Sequence, residues 1–120
     1  FNIIFTPHLA PMFRGIFTTI YVDSDKKINI AKIQKYLNQY YKKKSFVKVM
    51  KVNKLISTND VINTNNCHIS VCKTRNKNKY IILSAIDNLI KGGAGQAIQN
   101  MNLMLGISET TGLNFPGIFP

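Results

Sequence analysis

The run Asp87 to Asn102, D-N-L-I-K-G-G-A-G-Q-A-I-Q-N-M-N, sets a lysine and a cluster of glycines at the mouth of a helix. The first turn of a helix has unpaired backbone N–H groups and a partial positive charge, so glycines there let an anionic ligand reach bare backbone. Gly92, Gly93 and Gly95 suit a phosphate or nucleotide contact. They equally suit a helix packed close to a strand, and spacing alone does not separate the two. The run has neither G-x-G-x-x-G nor G-x-x-x-x-G-K-[ST] spacing, so the dinucleotide and P-loop fingerprints are absent. The amide of Gln96, one turn into the helix, offers a donor and an acceptor to a carboxamide or ribose.

Arg14 is a second candidate. Its planar fork pairs with carboxylate or phosphate, and it follows a loop that a substrate can reach; a structural ion pair is the alternative. His8 follows Pro7 and is a candidate proton donor or substrate contact, or simply a turn residue. Cys67 and Cys72 are five apart with His68 beside the first. Zinc sites ask for tighter pairs and four ligands, so no metal site is expected, and their odd separation sends the thiols to opposite faces of a strand. Neither thiol is expected to be a nucleophile, and a reduced, cytoplasmic protein follows.

Three runs in order resemble one family. Ser84 to Gly106 closely resembles the C-terminal segment of N-acetyl-gamma-glutamyl-phosphate reductases, with their D-N-L-x-K-G-A-x-G-Q-A-x-Q-N-x-N. Phe5 to Tyr21, F-T-P-H-L-A-P-M-F-R-G-I-F-T-T-I-Y, is similar to the family's F-T-P-H-L-x-P-M-x-R-G-I-x-x-T-x-Y. Tyr40-Tyr41 followed by Phe46-Val47 matches its Y-Y…F-V pair. The chain departs from the family's G-S-N-x-C-x-I motif, keeping Asn65, Cys67 and Ile69 of it.

The resemblance implies a reductase that turns an acyl phosphate into an aldehyde with NADPH: a cysteine thiolate displaces phosphate to give a thioester, which a hydride then reduces. It implies that the nucleophilic cysteine, the catalytic histidine and a dinucleotide-binding Rossmann domain lie upstream of Phe1, so this segment alone is inactive. For the cofactor, NADP, it implies contacts from Asn88, Lys91, Gly92, Gly93 and Gln96. Arg14 and His8, read from their own chemistry, are the substrate-side candidates, and Ala94, Ile98 and Met101 read as a packing stripe. Residues 1–86 then form a segment of the catalytic and dimerisation domain, and 87–120 a helix and tail returning toward the missing NADP-binding domain. A homodimer or homotetramer is expected, with Phe17, Ile20, Tyr80 and Ile82 as candidate interface positions. Two other readings stay open: a sister reductase acting on a carrier-bound aminoadipyl phosphate, and a non-catalytic basic binding module retaining the fold.

Several elements must position these groups. Asn2 to Phe5 predicts a short strand ended by Pro7, and Arg14 to Val22 a second one, rich in Ile, Phe, Thr and Tyr. From Asn29, a plausible N-cap, Ile30, Ile33, Leu37, Tyr40 and Tyr41 recur at helical spacing. Phe46 to Val52 predicts a strand, followed by a polar loop to about Asn66. His68 to Lys73 and Tyr80 to Ile86 predict strands joined by a turn at Arg75 to Asn78, and a last helix opens near Lys91. This order predicts an α+β fold, a mostly antiparallel sheet covered by helices, which the resemblance likens to the C-terminal domain of glyceraldehyde-3-phosphate dehydrogenase-like reductases.

The 120 residues suffice for one domain with a modest core, and the chain opens on Phe1, which predicts that it begins mid-protein. No apolar run approaches the roughly 18 residues of a membrane span. The net charge of +11 would suit a polyanion, yet fourteen of the sixteen basic residues are lysine, alongside 14 Asn and 17 Ile. All three have AT-rich codons, so genome bias accounts for the charge and no nucleic-acid partner is expected. Lys42 to Lys44 complements the negative end of a helix.

Overall fold

The computed structural model describes residues 3–24 and 28–117. Four strands form one sheet in the order β1-β4-β3-β2. They are β1 (Ile16–Asp23), β2 (Val47–Val49), β3 (Cys67–Lys73) and β4 (Lys79–Ile86). Helix α1 (Ile30–Tyr41) lies between β1 and β2. Helix α2 (Gly95–Met104) follows β4 through a wide turn at Ile90–Ala94. The α+β class follows from this order.

The sheet is antiparallel at β1–β4 and β3–β4, whereas β2 runs parallel to β3. A parallel pair needs a long crossover, and residues 50–66 supply it with a 3-10 turn at Thr58–Asp60. The expected hairpin holds between β3 and β4. One consequence matters for the site: the start of β1, the end of β4 and the starts of β3 and β2 share one end of the sheet, as Ile16, Ile86, Cys67 and Val47 line up in register.

Each face has its own core. Ile30 of α1 buries against Val71 and Tyr80, flanked by Ile33, Leu37, Val22 and Ile82. On the opposite face Ile56 and Val61 of the crossover pack on Leu83 and Ala85, with Cys72 alongside. Cys67 pairs with Ser84 instead, so the two thiols do face opposite ways. Asn29 caps α1 as expected, its Oδ1 accepting from Ala31 N at 2.9 Å.

Four expectations are corrected. Ile3 to Phe5 is exposed and irregular, because no strand pairs with it among the described residues; Asn2 lies outside them. The strand over Phe46 to Val52 shrinks to Val47–Val49; beyond it Met50 N and Asn53 N still donate to Ile69 O and Val71 O of β3, with a turn at Lys51 to Lys54 between regular pairing and the crossover. Tyr40 is 65% exposed and falls off the apolar stripe of α1, whereas Tyr41 beside it is half-buried. Tyr80 is buried under α1, its hydroxyl donating to Ile28 O at 2.6 Å, and cannot serve an outward interface.

Candidate functional site

Chain topology gathers the candidates at the shared end of the sheet. Arg14 and Gly15 enter β1 there, and Asp87 and Asn88 leave β4 beside them. Gly15 N donates to Asn88 Oδ1 at 2.7 Å, and Arg14 Nε lies 3.1 Å from Asp87 Oδ2. Gly15 has φ +109°, and a Cβ there would come within 2.5 Å of Thr58 Cγ2, so both conformation and space require glycine.

Asp87 is the hub. Fully buried, it accepts from Leu89 N and Ile90 N through Oδ1 at 2.8 and 2.9 Å, and from Asn63 N through Oδ2 at 2.8 Å. Burial alone would raise its carboxyl; the N–H groups of Asn63, Ile90 and Leu89, with the Arg14 cation, outweigh it and hold the group below the usual range. This carboxylate does for the helix opening what an N-cap does. The sequence reading missed it, although an aspartate two residues ahead of Leu89 is a recognisable capping signal.

The helix mouth is therefore built differently from a bare anion site. Its first N–H groups are taken by the protein's own carboxylate, and a phosphate placed there would meet that charge. What remains is a side-chain-free, exposed patch at Gly92 and Gly93, with Asn88 and Gln96 half-buried beside it. Gln96 Nε2 donates to Asn100 Oδ1 at 2.9 Å.

Lys91 turns inward. Its Nζ donates to Gln99 Oε1 at 2.7 Å and sits 5.4 Å from the centre of the Phe46 ring. Burial lowers its pKa, opposed by the neighbouring Cys67 and Glu109. Gln99 also accepts from Asn65 Nδ2 at 3.0 Å and donates to Glu109 Oε2 at 2.9 Å. Glu109 in turn accepts from Ser45 Oγ and Ser45 N, which hold its carboxyl below the usual range against the effect of burial.

Helix α2 buries Gly95, Gln99 and Asn102, a polar stripe. The expected apolar stripe faces out: Ala94 is exposed, Ile98 is 38% exposed and Met101 50%. The reason is close packing against a polar loop. A Cβ at Gly95 would lie 2.6 Å from Asn65 Oδ1, so the glycine lets α2 settle onto Asn65. Asn65, Gln99 and Glu109 were not singled out by type; the i, i+4, i+7 spacing of Gly95, Gln99 and Asn102 was the available signal.

His8 lies on the exposed segment before Arg14, with no hydrogen bond to the helix opening among the described residues. His68 is 8% exposed on β3, and neither ring nitrogen has a partner among the described residues.

A model of the semialdehyde dehydrogenase dimerisation domain matches residues 1–88. The chain is 51% identical over 113 residues to an N-acetyl-gamma-glutamyl-phosphate reductase of Clostridium botulinum (strain Alaska E43 / Type E3), covering 94% of this chain and 33% of that protein. It is 49% identical over 119 residues to the same-named protein of Vesicomyosocius okutanii subsp. Calyptogena okutanii (strain HA), covering 99% and 34%. It is 44% identical over 119 residues to that of Thermoanaerobacter sp. (strain X514), covering 99% and 35%. The chain spans about a third of the length of these relatives. With its α+β fold and a match over residues 1–88, the chain belongs to the semialdehyde dehydrogenase dimerisation-domain family, and it is similar to the C-terminal third of these reductases.

Proposed function

We propose that this chain is the C-terminal part of an NADPH-dependent reductase that converts N-acetyl-gamma-glutamyl phosphate to N-acetyl-glutamate 5-semialdehyde in arginine biosynthesis, working as a homo-oligomer in the cytoplasm. The observation that carries it is the helix opening: the family's D-N-L-x-K-G run forms a side-chain-free patch beside Asn88 at the same end of the sheet as Arg14. In the reaction, a cysteine thiolate displaces phosphate from the acyl carbon to give a thioester, and hydride added to that carbon expels the thiolate, leaving aldehyde, phosphate and oxidised coenzyme. The nucleophile and the histidine that assists it come from upstream.

The coenzyme, when bound, supplies the hydride. Asn88, Lys91, Gly92, Gly93 and Gln96 would hold it, Lys91 through its backbone and Asn88 through Nδ2 as a donor, because Oδ1 is held by Gly15 N. Lys91 holds the opening in shape from within. Arg14 meets a substrate carboxylate or phosphate through the outer edge of its guanidinium, since its contacts to Asp87 run through Nε. His8 reaches the substrate from the segment before it. The outward apolar stripe of α2, Ile98 and Met101, is supported as a seat for the nucleotide-binding domain by its exposure.

The full-length protein is expected to oxidise NADPH when given N-acetyl-gamma-glutamyl phosphate. Turnover of a carrier-bound aminoadipyl phosphate in its place would assign it to the sister reductase; turnover of neither would favour a binding module. Residues 1–120 alone are expected to be inactive.

A further inference from the structure

The geometry points to Asp87 as a positioning residue that ties the substrate-side guanidinium of Arg14 and the coenzyme-side helix opening into one frame. This rests on the reductase reading above and assigns a role to a residue that touches neither ligand.

One buried carboxylate divides its oxygens among three segments. Oδ1 takes the Leu89 and Ile90 N–H groups, which orients the chain into Gly92 and Gly93. Oδ2 takes Asn63 N and lies 3.1 Å from Arg14 Nε. Asn63 has φ 59°, so its loop holds a turn conformation beside that hydrogen bond. The next residue repeats the linkage, with Asn88 Oδ1 on Gly15 N at 2.7 Å. Asp87 and Asn88 together therefore clamp Arg14 and Gly15 across the end of the β1–β4 pair, 73 positions away in sequence. The charge of Asp87 is needed for Arg14, whereas an uncharged acceptor satisfies Leu89 and Ile90. The two roles separate chemically.

The test uses the full-length protein and two variants. Asp87→Asn keeps an acceptor oxygen for the helix opening and turns an amide NH2 toward Arg14 Nε and Asn63 N, losing the charge and the acceptor on that side. It is expected to raise KM for the acyl phosphate on the order of tenfold, to leave the NADPH dissociation constant within about twofold, and to speed exchange of the Arg14 Nε–H seen by NMR. Asp87→Ala removes both and is expected to weaken NADPH on the order of tenfold as well. An Asp87→Asn enzyme with wild-type KM and unchanged Arg14 exchange overturns the proposal. So does one that weakens NADPH as much as Asp87→Ala. Failure of the underlying reading looks different: Arg14→Ala keeps the wild-type KM, or the wild-type protein does not turn over the acyl phosphate. The Asn variant and the exchange measurement keep the test decisive if the Ala variant does not fold.

Discussion

Lys91 Nζ lies 2.7 Å from Gln99 Oε1, so the lysine of the glycine-rich opening braces the fold instead of reaching outward. Gln99 in turn links Asn65 and Glu109. Replacing it with leucine would leave Lys91, Asn65 and Glu109 short of partners in a half-dry setting. Gln99→Leu is expected to cost about 2–3 kcal/mol, read from the midpoint of urea unfolding. A variant as stable as the parent would show that water replaces the network.

Close packing of α2 gives a second outcome. At Gly95 a Cβ would meet Asn65 Oδ1 and Ile90 Cγ2 at 2.6 Å, while at Gly92 its nearest neighbour is Ile86 Cδ1 at 3.5 Å. Gly95→Ala should therefore destabilise by about 1–3 kcal/mol, and exposed Gly92→Ala should stay within about 0.5 kcal/mol of the parent. Thermal unfolding of the pair measures this. Equal midpoints would mean that Asn65 and Ile90 move aside.

His68 makes stability depend on pH. Burial, then the nearby Lys48, lower its pKa from 6.5, opposed by Asp60, so the folded protein binds this proton more weakly than the unfolded chain. Its contribution is complete above about pH 6.5 and is lost as pH falls below it, where the unfolded state protonates first. Asp87 and Glu109 are held below their ordinary values and so titrate at lower pH. Between pH 7 and 5 the urea midpoint should fall, and His68→Leu should flatten that slope. An unchanged slope in the variant would remove His68 from the account.

Oligomer contacts give a fourth outcome. Phe17 and Tyr21 lie on one face of the edge strand β1 and are 40% and 78% exposed. If that face meets another subunit, Phe17→Lys with Tyr21→Lys should lower the association constant at least tenfold in sedimentation equilibrium. Tyr80→Phe serves as the control: it loses the hydroxyl contacts to Ile28 at a cost of about 1–2 kcal/mol and should leave association unchanged. Association unaffected by the double lysine variant would move the interface to another surface.

Local pattern carried much of the fold. Asn29 and the Ile30, Ile33, Leu37 spacing define α1 because a helix needs one cap and one apolar stripe, both of which are local. β-branched and aromatic runs define β1, β3 and β4 for the same reason. Pattern failed where partners are distant. Ile3 to Phe5 has strand composition but pairs with no strand among the described residues, and nothing in residues 46–52 says whether β2 runs parallel or antiparallel to its neighbour. The candidate site was legible as the Asp87 to Asn102 run, while the inward turn of Lys91 was not.

By itself the sequence determined the helix and strand periods, the glycine-rich opening and the family resemblance, because these rest on neighbours within a few residues or on motif order. Tertiary structure alone decided that Asp87, not a ligand, caps that opening, and that α2 buries Gln99 and Asn102 while Ile98 and Met101 face out. Both depend on which groups meet across the shared end of the sheet. A buried carboxylate or amide is stable only where distant N–H groups and cations converge on it, and that convergence is a property of the folded arrangement.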